Sequence, residues 1–550
     1  MVLCLAMVAT LCTVFVGCRN TGENVDPTKT QIYVTGYDGG NGKAFMESWA
    51  AKFTELNKDK SFEPGKTGVQ IFVGVSTTVT GDSFKTQVRS NFNDIFFTED
   101  INYYEYMNQN ALLDITDIVT TPLSEYGETK SIEDKLYPVT KDFFKTSADK
   151  YYGLPLFEPY TGFVYDIDVF DDYGFYIGRN FDAAKNTGYV FADELKSAGP
   201  DGTFDTWDDG FPATYDEFFK LLEYIKKENV TPLIWTGQHQ AYSNWNATSL
   251  WVDYEGEEQM RLNFTFDGTA TSLVTANDDG TTTPIADTPI SAANATELAK
   301  QAGRYEAIDF MRRLVKSGNY HKDSFSPMLS HTGAQREFLY SKRNTSIAIM
   351  LESSWWENEA TGVFTEMAKN NPNDAKLKRN LGFMPLPKAN AAKVEEARLS
   401  VAAGGKSQTV FARGEAMGFI KSNVPANRLE AVKAFFRFCH TDAMLVDFSQ
   451  VTNMSLMFDY DLTAEQQAGM TTFGRSLLEH KANSNVIFGS ANSDIYHKNA
   501  GDLLNSRNLW FSTVSSQNYK FISNYYKDNS TAGTKAYFDG IAAYYATNLK

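Results

Sequence analysis

The run QIYVTGY (31–37) is β-branched and aromatic, and it is cut by DGGNG before Phe45, Trp49, Phe53 and Leu56 recur at spacings of four, four and three. That change of period predicts a strand, a glycine loop and a helix. VQIFVGV (69–75) and NDIFF (93–97) predict further strands, with FKTQVRS (84–90) a helix between them. Strands alternating with helices imply an α/β fold with a mainly parallel sheet, whose ligands gather beyond the carboxyl ends of the strands. Tyr37, Asp38 and Asn41 in the first loop, with Glu99 and Asp100 after the third strand, then fall on one rim. Further on, TYDEFFKLLEYIKK opens with Thr214 and Glu217 at capping-box spacing and sets Tyr215, Phe218, Leu222 and Ile225 on one face. NRLEAVKAFFRFCH repeats the plan with Asn427 and Glu430. Residues 253–300, rich in Thr, Asp, Gly and Ala, read as a surface excursion or small β insertion. NTSIAIML has the pattern of a buried strand and runs directly into ESSWWENEA (352–360).

Composition narrows the class. The chain has 550 residues, long enough for two or three domains, with 42% hydrophobic and 14% aromatic residues to fill their cores. A formal net charge of -17 repels phosphate backbones, so nucleic acid is not an expected partner. The apolar stretch Met1–Gly17 ends at Cys18 and a polar tail, the layout of an export signal. Phe15-Val16-Gly17-Cys18 resembles a bacterial lipobox, which implies that Cys18 carries lipid and that residues 18–29 are a tether. Cys4 and Cys12 would leave with the signal, so Cys439 alone would remain and no intrachain disulfide is expected. Its helical spacing from Val432, Phe435 and Phe436 makes Cys439 a buried apolar residue.

Chemistry-bearing patterns are few. The six histidines lack tight metal-ligand spacing, and there is no GxSxG, Walker or dinucleotide fingerprint. GPDGTFDTWDDG gathers Asp201, Asp205, Asp208 and Asp209, a set that fits either a calcium ion or a solvated turn. Glu158, Glu352 and Glu357, each near aromatics, are the carboxylates a glycosidase could pair. Trp355 and Trp356 stand where adjacent side chains diverge, so one apolar wall cannot take both. Either they divide between core and surface, or at least one offers its ring to a sugar face, with Glu357 and Asn358 as polar partners. Trp235, Gln238, Tyr242 and Trp245 in LIWTGQHQAYSNW, and Glu158 and Tyr160 in YGLPLFEPYTGFVYDIDVF, have the same aromatic-plus-polar composition.

The lipobox, the strand-loop-helix opening, YYGLPLFEPYTGFVYDIDVFDDYGF, GPDGTFDTWDDGFPATYDEFF, SIAIMLESSWWENEA, LGFMPLP and EAMGFIKSNVPANRLEAVKAFFRF follow one another in this order. In that order they resemble extracellular solute-binding protein family 1, the carbohydrate-binding lipoproteins of ABC importers, over nearly the whole mature chain. The resemblance implies a two-lobed periplasmic-binding-protein-like α/β fold. It places a signal at 1–17, a tether at 18–29, one lobe from 30–155 plus 415–455, and the other from 156–414 plus 456–550. The match is poorest at 250–300. Segments crossing between lobes are expected near 153–166, at 416–423 and after 448–456. The resemblance further implies a sugar held by Trp355, Trp356, Asp38 and Asn41, with Glu158 and Tyr160 at the hinge edge, and ABC permease subunits as partners. No enzymatic step or required cofactor is expected, the protein is expected to be monomeric, and it is expected to be lipid-anchored outside the cell membrane. A secreted carbohydrate-active enzyme and a surface adhesin are the competing readings.

Overall fold

The computed structural model describes residues 24–341, 346–412 and 416–550; the lipobox and Cys18 lie outside the described residues. Nine strands build the two principal sheets: β1 (Thr30–Tyr37), β2 (Val69–Ser76), β3 (Ile95–Thr98), β4 (Leu154–Pro155), β5 (Thr161–Asp166), β6 (Thr231–Ile234), β7 (Ile347–Ser353), β8 (Leu381–Met384) and β9 (Met417–Ile420). The first sheet has the order β2-β1-β3-β9-β4 and the second β8-β5-β7-β6.

Pairing differs from the mainly parallel expectation in an instructive way. β1 runs parallel to β2 (Val34 opposite Val73) and to β3 (Val34 opposite Ile95), as consecutive strands joined by helices must. β9 joins β3 antiparallel, with Phe419 opposite Phe96, because its chain returns from the other sheet. In the second sheet β7 is parallel to β6 but antiparallel to β5, which also pairs antiparallel with β8. Both sheets are therefore mixed. Their central strands are covered on both faces, and β3 and β7 are buried at every position, which explains their unbroken apolar runs.

The chain passes between the sheets at 156–160, where Phe157 bridges to Leu456 and the Glu158 N–H donates to the Ser455 carbonyl at 2.9 Å. Two strips thus run side by side from one half of the molecule to the other. The predicted helix after the second strand shrinks to Gly81–Phe84 and a 3-10 turn, Val88–Ser90. In Tyr215–Lys227 Thr214 does cap, accepting from the Glu217 N–H, but Glu217 returns its carboxylate to the Ala213 N–H instead of the cap residue. Asn427 does not cap its helix: it donates to Glu63, and Leu429–Phe438 starts after Arg428 without a side-chain cap. Cys439 is buried, and burial holds its thiol far from ionisation.

The middle insertion begins as a helix, Ala241–Thr265, broken at Gly256, whose φ of 71° a side chain would resist. Two small antiparallel two-stranded sheets and a 3-10 helix, Ala292–Lys300, follow, so the Thr-rich stretch mixes helix, strand and loop. Arg304, fully buried, fixes the C-terminal part to this insertion. Its guanidinium lies 3.8 Å from the Trp251 ring, near Trp510 and Tyr545, and donates to the Leu509 carbonyl. No helix among the described residues is long and apolar enough to cross a membrane.

Candidate functional site

β1 ends at Tyr37, and the loop that follows carries Gly40 against Trp355, at the end of β7. A Cβ on Gly40 would lie 2.2 Å from Trp355 Cδ1, so only glycine permits this approach of the first sheet's loop to the second sheet's tryptophan. Trp355 is 4% exposed and meets Phe157, Tyr242 and Trp245 edge-on, at centroid distances of 6.2, 6.3 and 5.9 Å. Phe157 is part of a strip crossing between the sheets, while Tyr242 and Trp245 start the insertion helix. An aromatic box therefore stands where the two halves meet.

Trp356 points the other way. It is 0% exposed, wedged among Phe338, Phe364 and Phe473 in the core of the second half. Its placement as a ligand-facing ring is corrected, because the short helix Trp356–Glu359 turns successive side chains by about 100°. Glu357 is corrected for the same reason: its carboxyl is raised by burial, accepts from Thr471 and faces Lys376 at 3.8 Å inside the second half. Trp235 likewise packs on Tyr320 and Phe325 in the core. Asn358 donates to the Thr452 carbonyl and so secures a crossing strip.

Beside the aromatic box the structure gathers charge. The Tyr37 hydroxyl is pushed up by burial and then by the negative charges of Glu99, Asp100 and Glu359, against Arg507. Asp100 meets Arg507 at 2.5 Å, a bond from the first sheet's rim to the C-terminal segment. His239 is held below its usual range by burial and by Arg507, and its ring lies 5.3 Å from His331. Gln335 donates to both Glu352 and Glu359, and burial with the second carboxylate pushes Glu352 well up. Asp38 is exposed on the loop, whereas Asn41 is buried with its Oδ1 lacking a partner among the described residues.

Glu158 and Tyr160 sit in the crossing strip itself. The Tyr160 hydroxyl donates 2.7 Å to Glu158, which pairs at 3.0 Å with Lys481 from the second half. Tyr137, from the first half, is raised by burial and by Glu158. These residues tie the halves together from within. Sequence reasoning missed Glu359, although it lies within ESSWWENEA, and missed Arg507, Gln335 and Lys481, which arrive from segments without any distinctive pattern.

The acidic loop turns its carboxylates on its own backbone. Asp208 accepts from the Asp201 N–H at 2.8 Å, and Asp209 from the Asp205 N–H at 2.9 Å. Burial beside Asp201 raises Asp208 to about 7. Among the described residues no three His, Cys, Asp or Glu side chains converge as metal ligands.

No family model matches the sequence, nor does any curated protein. Solved structures do match. A chitin oligosaccharide binding protein shares 17% identity over 95% of this chain and 99% of its own, with a TM-score of 0.54. The solute-binding protein RafE in complex with raffinose shares 12% over 95% and 100%, at 0.52. A cyclic α-maltosyl-1,6-maltose binding protein from Arthrobacter globiformis shares 11% over 95% and 99%, also at 0.52. The chain shares the two-lobed α/β fold of these binding proteins.

Proposed function

We propose that the protein captures a carbohydrate between its two lobes and hands it, unaltered, to an ABC importer. The observation that carries this reading is the cluster of Trp355, Tyr242, Trp245 and Phe157 set against Gly40 of the opposite lobe. Rings stack on the apolar faces of a sugar while carboxylates and amides accept and donate to its hydroxyls. Contacts from both lobes favour the closed arrangement only when ligand is present, and that difference drives closure. The sugars named for the matching structures support the same class of ligand. Lipidation at Cys18 would hold the protein outside the membrane, near its permease.

Titrating intrinsic tryptophan fluorescence of the whole chain with chito-, malto-, xylo- and raffinose-type sugars tests the reading. A saturable change abolished by Trp355→Ala in a folded protein is expected. Shortening of an added oligosaccharide would replace capture by hydrolysis. Labelled palmitate entering the wild type in a bacterial host but not Cys18→Ala tests the anchor.

A further inference from the structure

The strip at 156–160 separates two different contacts between the lobes. Phe157 turns its ring to Trp355, 6.2 Å away, while the next residue, Glu158, pairs with Lys481 at 3.0 Å. Successive side chains of an extended segment leave on opposite sides, so the aromatic cluster lies on one side of the strip and Lys481 on the other.

On that far side the helix Pro138–Phe144 of the first lobe lies against the second lobe. Tyr137, just before it, holds its ring 5.6 Å from the Lys481 ammonium, and Tyr460, at the end of the neighbouring strip, holds its own at 5.5 Å. Lys481 belongs to the second lobe's helix Thr472–Ala482, so one cation joins a carboxylate and two rings that lie outside its own lobe. At the opposite end of Pro138–Phe144, Phe143 meets Phe488 at 5.2 Å and Tyr496 at 6.3 Å, both in the second lobe. Tyr104 stacks on His497 at 3.6 Å and donates its hydroxyl to the Phe143 carbonyl at 2.7 Å, which ties that stack to the helix.

The two grips stand about 10 Å apart, the length of a seven-residue helix. One contact alone would let the lobes swivel about it, whereas a grip at each end fixes an orientation. Neither grip shares a residue with the aromatic cluster. Tyr137 is half-buried while Phe143 and Phe488 are buried, so the Tyr137 end is the one that yields.

We propose that Pro138–Phe144 is a bearing that sets the angle between the lobes, with Tyr137–Lys481 as its adjustable end, so that sugar affinity is tuned from outside the sugar site. Tyr137 and Lys481 come from different lobes, and their attraction favours the arrangement in which they meet. Apparent affinity scales with the population of the binding-competent arrangement, which makes Tyr137 a positioning residue. The effect on affinity rests on the carbohydrate reading above; the lobe angle does not.

The test is the distance between spin labels carried on a keto amino acid at Asp59 in the first lobe and Lys369 in the second, both exposed, measured in the full chain by pulsed electron resonance. Wild type is compared with Tyr137→Leu, which removes the ring and leaves Lys481 its carboxylate, and with Tyr137→Phe, which keeps the ring. Expected is a broader distance distribution for Tyr137→Leu and the wild-type one for Tyr137→Phe. With a sugar that binds wild type, calorimetry should give about fivefold weaker binding for the leucine variant and a change within about twofold for the phenylalanine one. A wild-type distribution in folded Tyr137→Leu would overturn the bearing and leave sugar capture standing. No binding of any sugar by wild type would overturn the carbohydrate reading, and the distances would still decide the bearing. If Tyr137→Leu does not fold, Phe143→Leu, which loosens the other grip, decides by the same distances.

Discussion

Two adjacent tryptophans do different work because a helix begins between them. Trp356 fills a closed aromatic nest, so Trp356→Ala should cost about 3–5 kcal/mol in a denaturant titration while leaving sugar affinity per folded molecule intact. Trp355→Ala should abolish the ligand-dependent fluorescence change and, because its ring is buried edge-on among Phe157, Tyr242 and Trp245, should also cost about 3–5 kcal/mol. Gly40→Ala probes the same contact from the other lobe. A methyl group would sit within 3 Å of three Trp355 atoms, so the loop must retreat and the lobes cannot close as far. Ligand affinity should fall at least tenfold, measured by calorimetry, with an unchanged melting temperature for the ligand-free protein. Unchanged affinity would mean that the loop and Trp355 do not define the bound state.

At the scale of elements, the crossing strip carries the strongest prediction. Glu158 is buried and paired with Lys481, and Tyr160 donates to the same carboxylate. Lys481→Met strands that carboxylate and should cost about 3–5 kcal/mol, most of it recovered in Glu158→Gln/Lys481→Met, read by denaturant midpoints. Elements with a strong period were legible beforehand: β1, β2 and β3, the helix at 44–56 and the capped helix at 215–227 all stand where alternation or helical spacing set them. Antiparallel β9 and β5 were not, because a strand's direction depends on where its chain comes from, not on its own residues. The rim was partly legible. Tyr37, Glu99 and Asp100 share one neighbourhood because parallel strands end together, but Arg507 joins them through some 400 residues of tertiary folding that leave no local mark. Trp356 and Glu357 were misplaced because composition cannot say which way a helix start turns.

Over the whole molecule, two groups of buried ionisable side chains pull stability in opposite directions with pH. His480 lies among Tyr160, Trp207 and Phe383, neither ring nitrogen has a partner among the described residues, and burial lowers it to about 3; His440, in the first lobe, is lowered to about 4. Their folded forms stay neutral while the unfolded chain takes up protons below about 6.5, so the stability they contribute is present above that pH and lost as pH falls. Burial raises Glu255 and Glu306 to about 7, and Asp208 reaches about 7 beside Asp201. These groups hold protons longer in the folded state, so the stability they contribute is present below about pH 4 and lost as pH rises to 7. Between pH 5 and 6.5 the three carboxyls outweigh the two imidazoles by one proton, so these five groups together lower wild-type stability by about 2 kcal/mol as pH rises. Removing one set exposes the other. His480→Phe should gain about 2 kcal/mol on wild type between pH 6.5 and 5, since 1.5 pH units correspond to that amount for one proton. Glu255→Gln should gain on wild type as pH rises from 5 to 7. Urea titrations of the three proteins at four pH values measure both slopes, and parallel curves would show that these burials do not govern the folded state's proton uptake.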